Sequence, residues 1–491
     1  MTGTGATQVD KAESGGAAVG DLANWTLREA SSALDRGEVT SSELTSAILE
    51  RIASFDGKLN SYITVCDESA MAQARLLDAE HKRGSTRGPL HGIPIALKDN
   101  IDTAGVRTTA ASNVFRERIP TEDAEVTKRL KAAGAVIVGK LNLHEFAAGG
   151  TGAESAFGAT HNPWDLDRVT GGSSSGSGAA VGGRLCFGAL GTDTGGSIRI
   201  PSSWCGTVGM KPTYGLVSIR GIVPLIYSMD HCGPMTRSVT DSAIMLNVLA
   251  GYDPLDNASV EHPQEDYVKA LEQPTHSMRL GAPEEYYSDL DVEVESAIKA
   301  AIEVLTTLTA GVASHAPLPP AGDMMDFLHF KAETLAYHEP YKDRPELYLD
   351  DTRHFLTVPI ASSSQDYVRA RERLIALRRS IDGAFKDFDL VVLPTEKLSP
   401  YTIAEAIEFS KKASANPMGF SPEIMKIAAN TFPFNMYGLP AMTVPCGFTA
   451  SGLPIGMTIA GRRFSEGKIL ALGAAFEKAT VWHERRPALL E

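Results

Sequence analysis

Apolar residues first recur at helical spacing, at Leu27, Ala30 and Leu34 and then at Leu44, Ala47, Ile48, Ile52 and Phe55. A Thr-x-x-Glu capping box opens each run, Thr26 to Glu29 and Thr40 to Glu43, where a hydroxyl and a carboxylate satisfy otherwise unpaired helix amides. The pattern predicts two amphipathic helices, with Gly37 as the C-cap between them. The period then shortens. Residues 93–97, 135–138 and, more weakly, 187–190 are apolar runs of strand length, and 124–133 reads as a helix. Further on, 292–308 and 365–385 read as long helices, and 389–394 as a buried strand stopped by Pro394. Residues 398–425, with their Pro, Gly, Ser and Lys, read as a mobile cover or loop. Strands alternating with helices predict an α/β fold: a single large domain with a mixed, twisted sheet covered by helices on both faces.

The chain has 491 residues, 43% of them hydrophobic, enough for a sizeable core, and no long linker or internal repeat divides it. Residues 1–20, rich in Gly, Ala, Ser and Thr, are expected to be a disordered tail, neither signal peptide nor anchor, ahead of one domain over 21–491. A net charge of −14 argues against a nucleic-acid partner, which needs a basic face. No apolar run reaches the roughly 18 residues of a membrane span. Cysteines 66, 186, 205, 232 and 446 are odd in number and lack a C-x-x-C pair, which fits a reducing cytoplasmic compartment. The histidines show no metal-ligand spacing, so no metal is expected, and the serine chemistry that the motifs below imply requires no organic cofactor. A monomer or homodimer acting on a small molecule is the expectation.

Candidate chemistry lies in two glycine-dense polar runs. The first is Gly171-Gly172-Ser173-Ser174-Ser175-Gly176-Ser177-Gly178; the second runs from Gly191 through Thr194-Gly195-Gly196-Ser197 to Pro201. A hydroxyl directly after Thr194-Gly195-Gly196 is placed where backbone N–H groups can converge on an oxyanion. Lys98 ends an apolar segment, and burial beside Ile95, Leu97 and Ile101 would disfavour its ammonium and make it a base. Asp99 points to the opposite face of an extended chain and need not pair with it. Three other patterns fail. Ser174 sits centrally in a G-x-S-x-G string, but 165–170 make a poor strand ahead of it. Residues 134–140 begin like a P-loop, yet Leu141 replaces the required hydroxyl and the interior is a core strand. Gly176, Gly178 and Gly182 form only a loose dinucleotide pattern.

On these motifs the chain resembles the amidase signature family of serine hydrolases. The match comprises GIPIALKDN around Lys98, GGSSSGS, and GTDTGGSIRIP continuing to Cys205-Gly206 and 209–213. Segments 139–142, 162–165, 438–440, 445–447 and 452–454, with Asn435, extend it over about 22–482. The resemblance implies C–N hydrolysis of small linear amides, aryl amides and carbamates included, by a free-standing enzyme. Ser197 would be acylated, Ser173 would follow a cis peptide bond and relay the proton, and Lys98 would be the base. The amides of Thr194, Gly195, Gly196 and Ser197 would form the oxyanion hole, and Asp193 and Arg199 would support the loop. Gly149, Gly150 and Phe434 are expected to touch substrate, and Met324, Met325, Phe327, Leu328, Phe409, Phe420, Phe432 and Phe434 are candidates for an apolar pocket, with a core role the stronger alternative for each. An alternative within the family is the glutaminase component of a tRNA-dependent amidotransferase, its A subunit, which carries an acidic residue where this chain has Ala428 and a tyrosine-rich segment that 353–367 lack. A noncatalytic binding protein on the same fold would be expected to lose one of Lys98, Ser173 and Ser197, and all three are present.

Overall fold

In a computed structural model both capping boxes form: Thr26 caps the helix Leu27–Asp35 and Thr40 caps Ser41–Leu59, each glutamate reaching back to its cap amide. The structure describes residues 22–319, 321, 324–359, 362–414 and 422–488. The expected tail over 1–20 therefore lies outside the described residues, as do Phe420 and the side chains of Met324, Met325 and Phe327.

Among the described residues the strands, in chain order, are β1 (Tyr62–Val65), β2 (Pro94–Lys98), β3 (Val136–Leu141), β4 (His161–Asn162), β5 (Asp165–Val169), β6 (Gly188–Asp193), β7 (Val208–Lys211), β8 (His231–Thr236), β9 (Leu280–Gly281), β10 (Val312–Ala313), β11 (Leu390–Pro394), β12 (Ala441–Phe448) and β13 (Pro454–Gly461). All but β4 and β5 join one sheet of order β1-β3-β2-β6-β8-β7-β12-β13-β11-β9-β10. Strands β3, β2 and β6 run parallel, the stretch from β6 through β13 to β11 is antiparallel, and β11, β9 and β10 are parallel again. The sheet is thus mixed, as expected. Strands β2, β3, β6, β7, β8 and β11 are buried at every position, which requires protein on both faces. One core joins Ile95, Leu97, Val138 and Leu190 of the sheet to Leu44, Ile48, Leu246 and Leu472 of the helices.

Three segments differ from expectation. Residues 365–385 divide into a helix Ser364–Ser380 and a tighter 3₁₀ turn Ile381–Phe385, where Asp382 and Gly383 are poor helix formers. The supposed loop over 398–425 holds the helices Ile403–Ser414 and Pro422–Ala428, with 415–421 outside the described residues. Its signal was a third Thr-x-x-Glu box: Thr402 and Glu405 exchange the same pair of bonds as the two N-terminal boxes. The poor strand at 165–169 does form, as β5, but outside the large sheet, pairing with β4 and bridging Thr402 through Arg168.

The topology fixes where chemistry can happen. Strands β2 and β6 are parallel neighbours, with Leu97 beside Leu190, and they end at Lys98 and Asp193. Their carboxyl ends open in the same direction, the usual place for a ligand on such a sheet.

Candidate active site

Lys98, the last residue of β2, is fully buried. Its Nζ lies 2.8 Å from Ser173 Oγ and 2.7 Å from Thr192 Oγ1, hydrogen-bonded to both. Burial disfavours the ammonium, and the partial opposition of Asp193, Asp230 and Cys232 leaves the amine titrating at about 7 rather than 10.5. Asp99 points away as expected: its carboxylate accepts from the Thr109 amide at 2.8 Å and lies 3.5 Å from buried Lys140.

The serine run is tightly packed. The Gly172–Ser173 peptide bond is cis, and the Ser173 carbonyl accepts from the His144 amide at 3.0 Å. Ser174, the middle of the G-x-S-x-G string, spends its hydroxyl on the Thr192 carbonyl of β6 (3.1 Å). Ser175 bonds Thr160 Oγ1 at 3.0 Å, and Ser177 donates to the Leu190 carbonyl at 3.0 Å. The helix Ser175–Gly182 thereby lies directly against β6, and a Cβ at Gly176 would run into the Ser61 carbonyl and the Asn142 backbone.

Ser197 follows Gly196, whose φ of +136° and contact with Thr431 leave no room for a side chain. The Ser174 amide donates to the Ser197 carbonyl at 3.3 Å, tying the two serine loops together. Lys98 and Ser173 are hydrogen-bonded to each other, and it is Ser174, the next residue, that this backbone bond ties to Ser197. One expected oxyanion donor is corrected. The Gly196 N–H donates to Asp193 Oδ1 (2.8 Å), so it is committed to the loop, and the amides of Thr194, Gly195 and Ser197 make no such bond among the described residues. Asp193 also accepts from the Ile198 amide and from both arms of Arg199, at 3.0 and 2.9 Å. Arg199 continues to the Thr431 carbonyl and Asn435 Oδ1, at 2.8 and 2.6 Å, and Asn435 donates back to Asp193. Burial pushes the Asp193 carboxyl up, but Arg199, with Lys211 and Asn435, overrides it and holds the group well below the usual carboxylate range.

Ser197, Thr194, Gly195, Gly149 and Gly150 line a cavity of about 190 Å³. Its other walls are mainly apolar, from Leu225, Ile226, Phe355, Met425 and Phe432. Two expected pocket residues are elsewhere, and so is the expected substrate contact Phe434. Phe434 is fully buried among Tyr286, Tyr437 and Leu439, because the short helix Phe432–Tyr437 turns it into the core while leaving Phe432 on the cavity. Phe409 packs edge-on against Tyr401, and Leu328 is buried away from the cavity wall.

Sequence reasoning does not single out Thr192, Asp230 or Asp351. For Thr192 the strand register was a usable signal, since β6 continues from Leu190 alongside the end of β2. Asp230 accepts from the Thr194 hydroxyl at 2.6 Å and from the amides of Leu225 and Ile226, and burial lifts its carboxyl to about 7. It lies in a turn with no motif to mark it.

A family model described as Amidase matches residues 43–470. The chain is 40% identical to the A subunit of the Moorella thermoacetica glutamyl-tRNA(Gln) amidotransferase, over 96% of this chain and 99% of that one. The solved 6-aminohexanoate cyclic dimer hydrolase complexed with substrate superposes with a TM-score of 0.87 at 27% identity, covering 96% of this chain and 100% of the other. The corresponding A subunit of the Thermotoga maritima amidotransferase gives a TM-score of 0.72 at 31% identity, over 94% and 96% of the two chains. With a buried lysine, two glycine-bedded serines and a match over most of its length, the chain belongs to the amidase signature family and is an amide C–N hydrolase.

Proposed function

We propose that the protein hydrolyses small linear amides, with aryl amides and carbamates in its range, through an acyl-enzyme on Ser197. The observation that carries this reading is the buried Lys98–Ser173 hydrogen bond beside a cavity that Ser197 and its neighbouring amides line. Neutral Lys98 donates to Thr192, which leaves its lone pair for the Ser173 proton. As Ser197 Oγ bonds to the carbonyl carbon, its proton passes to Ser173 and that of Ser173 to Lys98. The tetrahedral oxyanion accepts from the amides of Thr194, Gly195 and Ser197, donors already oriented by Asp193 and Asp230. Collapse breaks the C–N bond, and the departing nitrogen takes the proton returned through Ser173. Water then repeats the path to release the acid. The Ser173–Ser197 hydroxyl contact closes when substrate is bound, as catalytic hydrogen bonds commonly do.

Because only the neutral amine works, kcat/KM should fall about tenfold per unit as pH drops below the Lys98 value of about 7, and level off above it. A pH–rate profile on an uncharged anilide checks this. Lys98→Ala should abolish anilide hydrolysis while some p-nitrophenyl ester turnover survives, since a good leaving group needs little proton donation. Equal loss on both substrates would count against the relay.

A second reading, the A subunit of a tRNA-dependent amidotransferase, is favoured by the 40% identity to the Moorella protein, whose name makes it part of a larger assembly. Under it the chain would work with further subunits rather than alone. Against it stand Ala428 on the cavity wall, where an acidic residue is expected, and a lining without lysine or arginine among the described residues to meet the α-carboxylate of glutamine. Turnover of anilides, carbamates, esters and glutamine by the isolated chain decides: glutamine alone establishes the second reading.

A further inference from the structure

One group on the cavity wall has no part in the hydrolytic sequence. Asp351, in the first turn of the helix Asp350–Thr357, lines the same cavity as Ser197 and is only 8% exposed. Its protein contacts are long: Ser410 Oγ donates to Oδ2 at 3.4 Å, and His144 Nε2 lies 3.5 Å from the same oxygen. A carboxylate so nearly stripped of water needs strong donors, and these two do not supply them. Among the described residues it is the only charged side chain on the lining, set among Leu225, Ile226, Phe355, Met425 and Phe432. Apolar walls of that kind strengthen any charge pairing made inside them.

Resting on the amidase reading above, we infer that Asp351 binds a protonated amine carried by the substrate, so that the enzyme selects cationic amides whose ammonium is held off from the scissile carbonyl by an apolar spacer. The spacer lies against the aliphatic and aromatic wall while the ammonium donates short, charge-assisted bonds to the carboxylate. Neutral amides bind without that contribution. Substrates ending in a carboxylate meet a like charge and are disfavoured.

The test compares ω-aminoacyl p-nitroanilides with their methyl-terminated isosteres at pH 8, over several spacer lengths, together with a second series carrying the amine on the leaving-group side. In at least one series the cationic member should be favoured by about tenfold or more in kcat/KM, mostly through KM. Asp351→Asn should bring that ratio to within about threefold of one, and Asp351→Glu should retain a preference. Wild-type ratios near one in both series overturn the assignment without recourse to any variant. So does Asp351→Asn if it slows both substrates while keeping their ratio, which is what a purely structural role would do. If the wild type hydrolyses neither the neutral nor the cationic anilides, the amidase reading falls first and this inference with it.

Discussion

Replacing Ser197 by alanine is expected to lower kcat for amide hydrolysis by about 10⁴-fold or more, with the fold intact. Serine nucleophiles that act as a unit with their base show losses of this order or larger when removed. Among the described residues the hydroxyl makes no hydrogen bond, whereas the backbone carbonyl, which alanine keeps, holds the Ser174 amide. Stability should therefore change little while chemistry is lost. Steady-state turnover of an anilide, with thermal unfolding of both proteins, checks both halves. Turnover within tenfold of wild type would show that the acyl group goes elsewhere.

Arg199→Met is expected to cost about 3–5 kcal/mol of stability, the range for leaving one member of a buried ion pair unpaired. Asp193 and Arg199 are both fully buried, and the guanidinium supplies two of the hydrogen bonds that keep the carboxylate charged. Without it the carboxylate retains the Gly196 and Ile198 amides and Asn435 but loses its only directly hydrogen-bonded cation among the described residues. Because Arg199 holds the folded carboxyl below its ordinary 3.8, its stabilising effect is present above that pH and fades as pH falls through the folded value. The gap between wild type and Arg199→Met in urea unfolding should accordingly narrow in acid. A constant gap would point to lost packing instead of lost charge.

Much of the frame was legible because it is written in local patterns. Three Thr-x-x-Glu boxes mark helix starts, and the one at Thr402 is hidden only by the Pro and Gly around it. Continuous apolar runs mark β2, β3 and β11. Lys98, Ser173 and Ser197 stand out because lysine after an apolar strand and serine among glycines are chemically unusual settings. What the sequence could not show is long-range geometry. Nothing in Phe432-Pro433-Phe434 says which ring faces the cavity, since a short helix decides it. Nothing near Gly196 says that its amide is taken by Asp193 three residues earlier. Asp351 reaches the cavity from a helix far along the chain, so no spacing rule could place it beside Ser197.

The serine run and the cavity lining differ in how much change they tolerate. Residues 171–178 have the make-up of a tether, yet their hydroxyls are spent on neighbouring strands and loops, and an extra carbon at Gly176 has nowhere to go. On the cavity itself, Phe355, Met425, Ala428 and Phe432 present exchangeable apolar surface. Evolution, or a directed library, can thus rewrite what the enzyme accepts along that lining, while the packed serine run leaves little room for change.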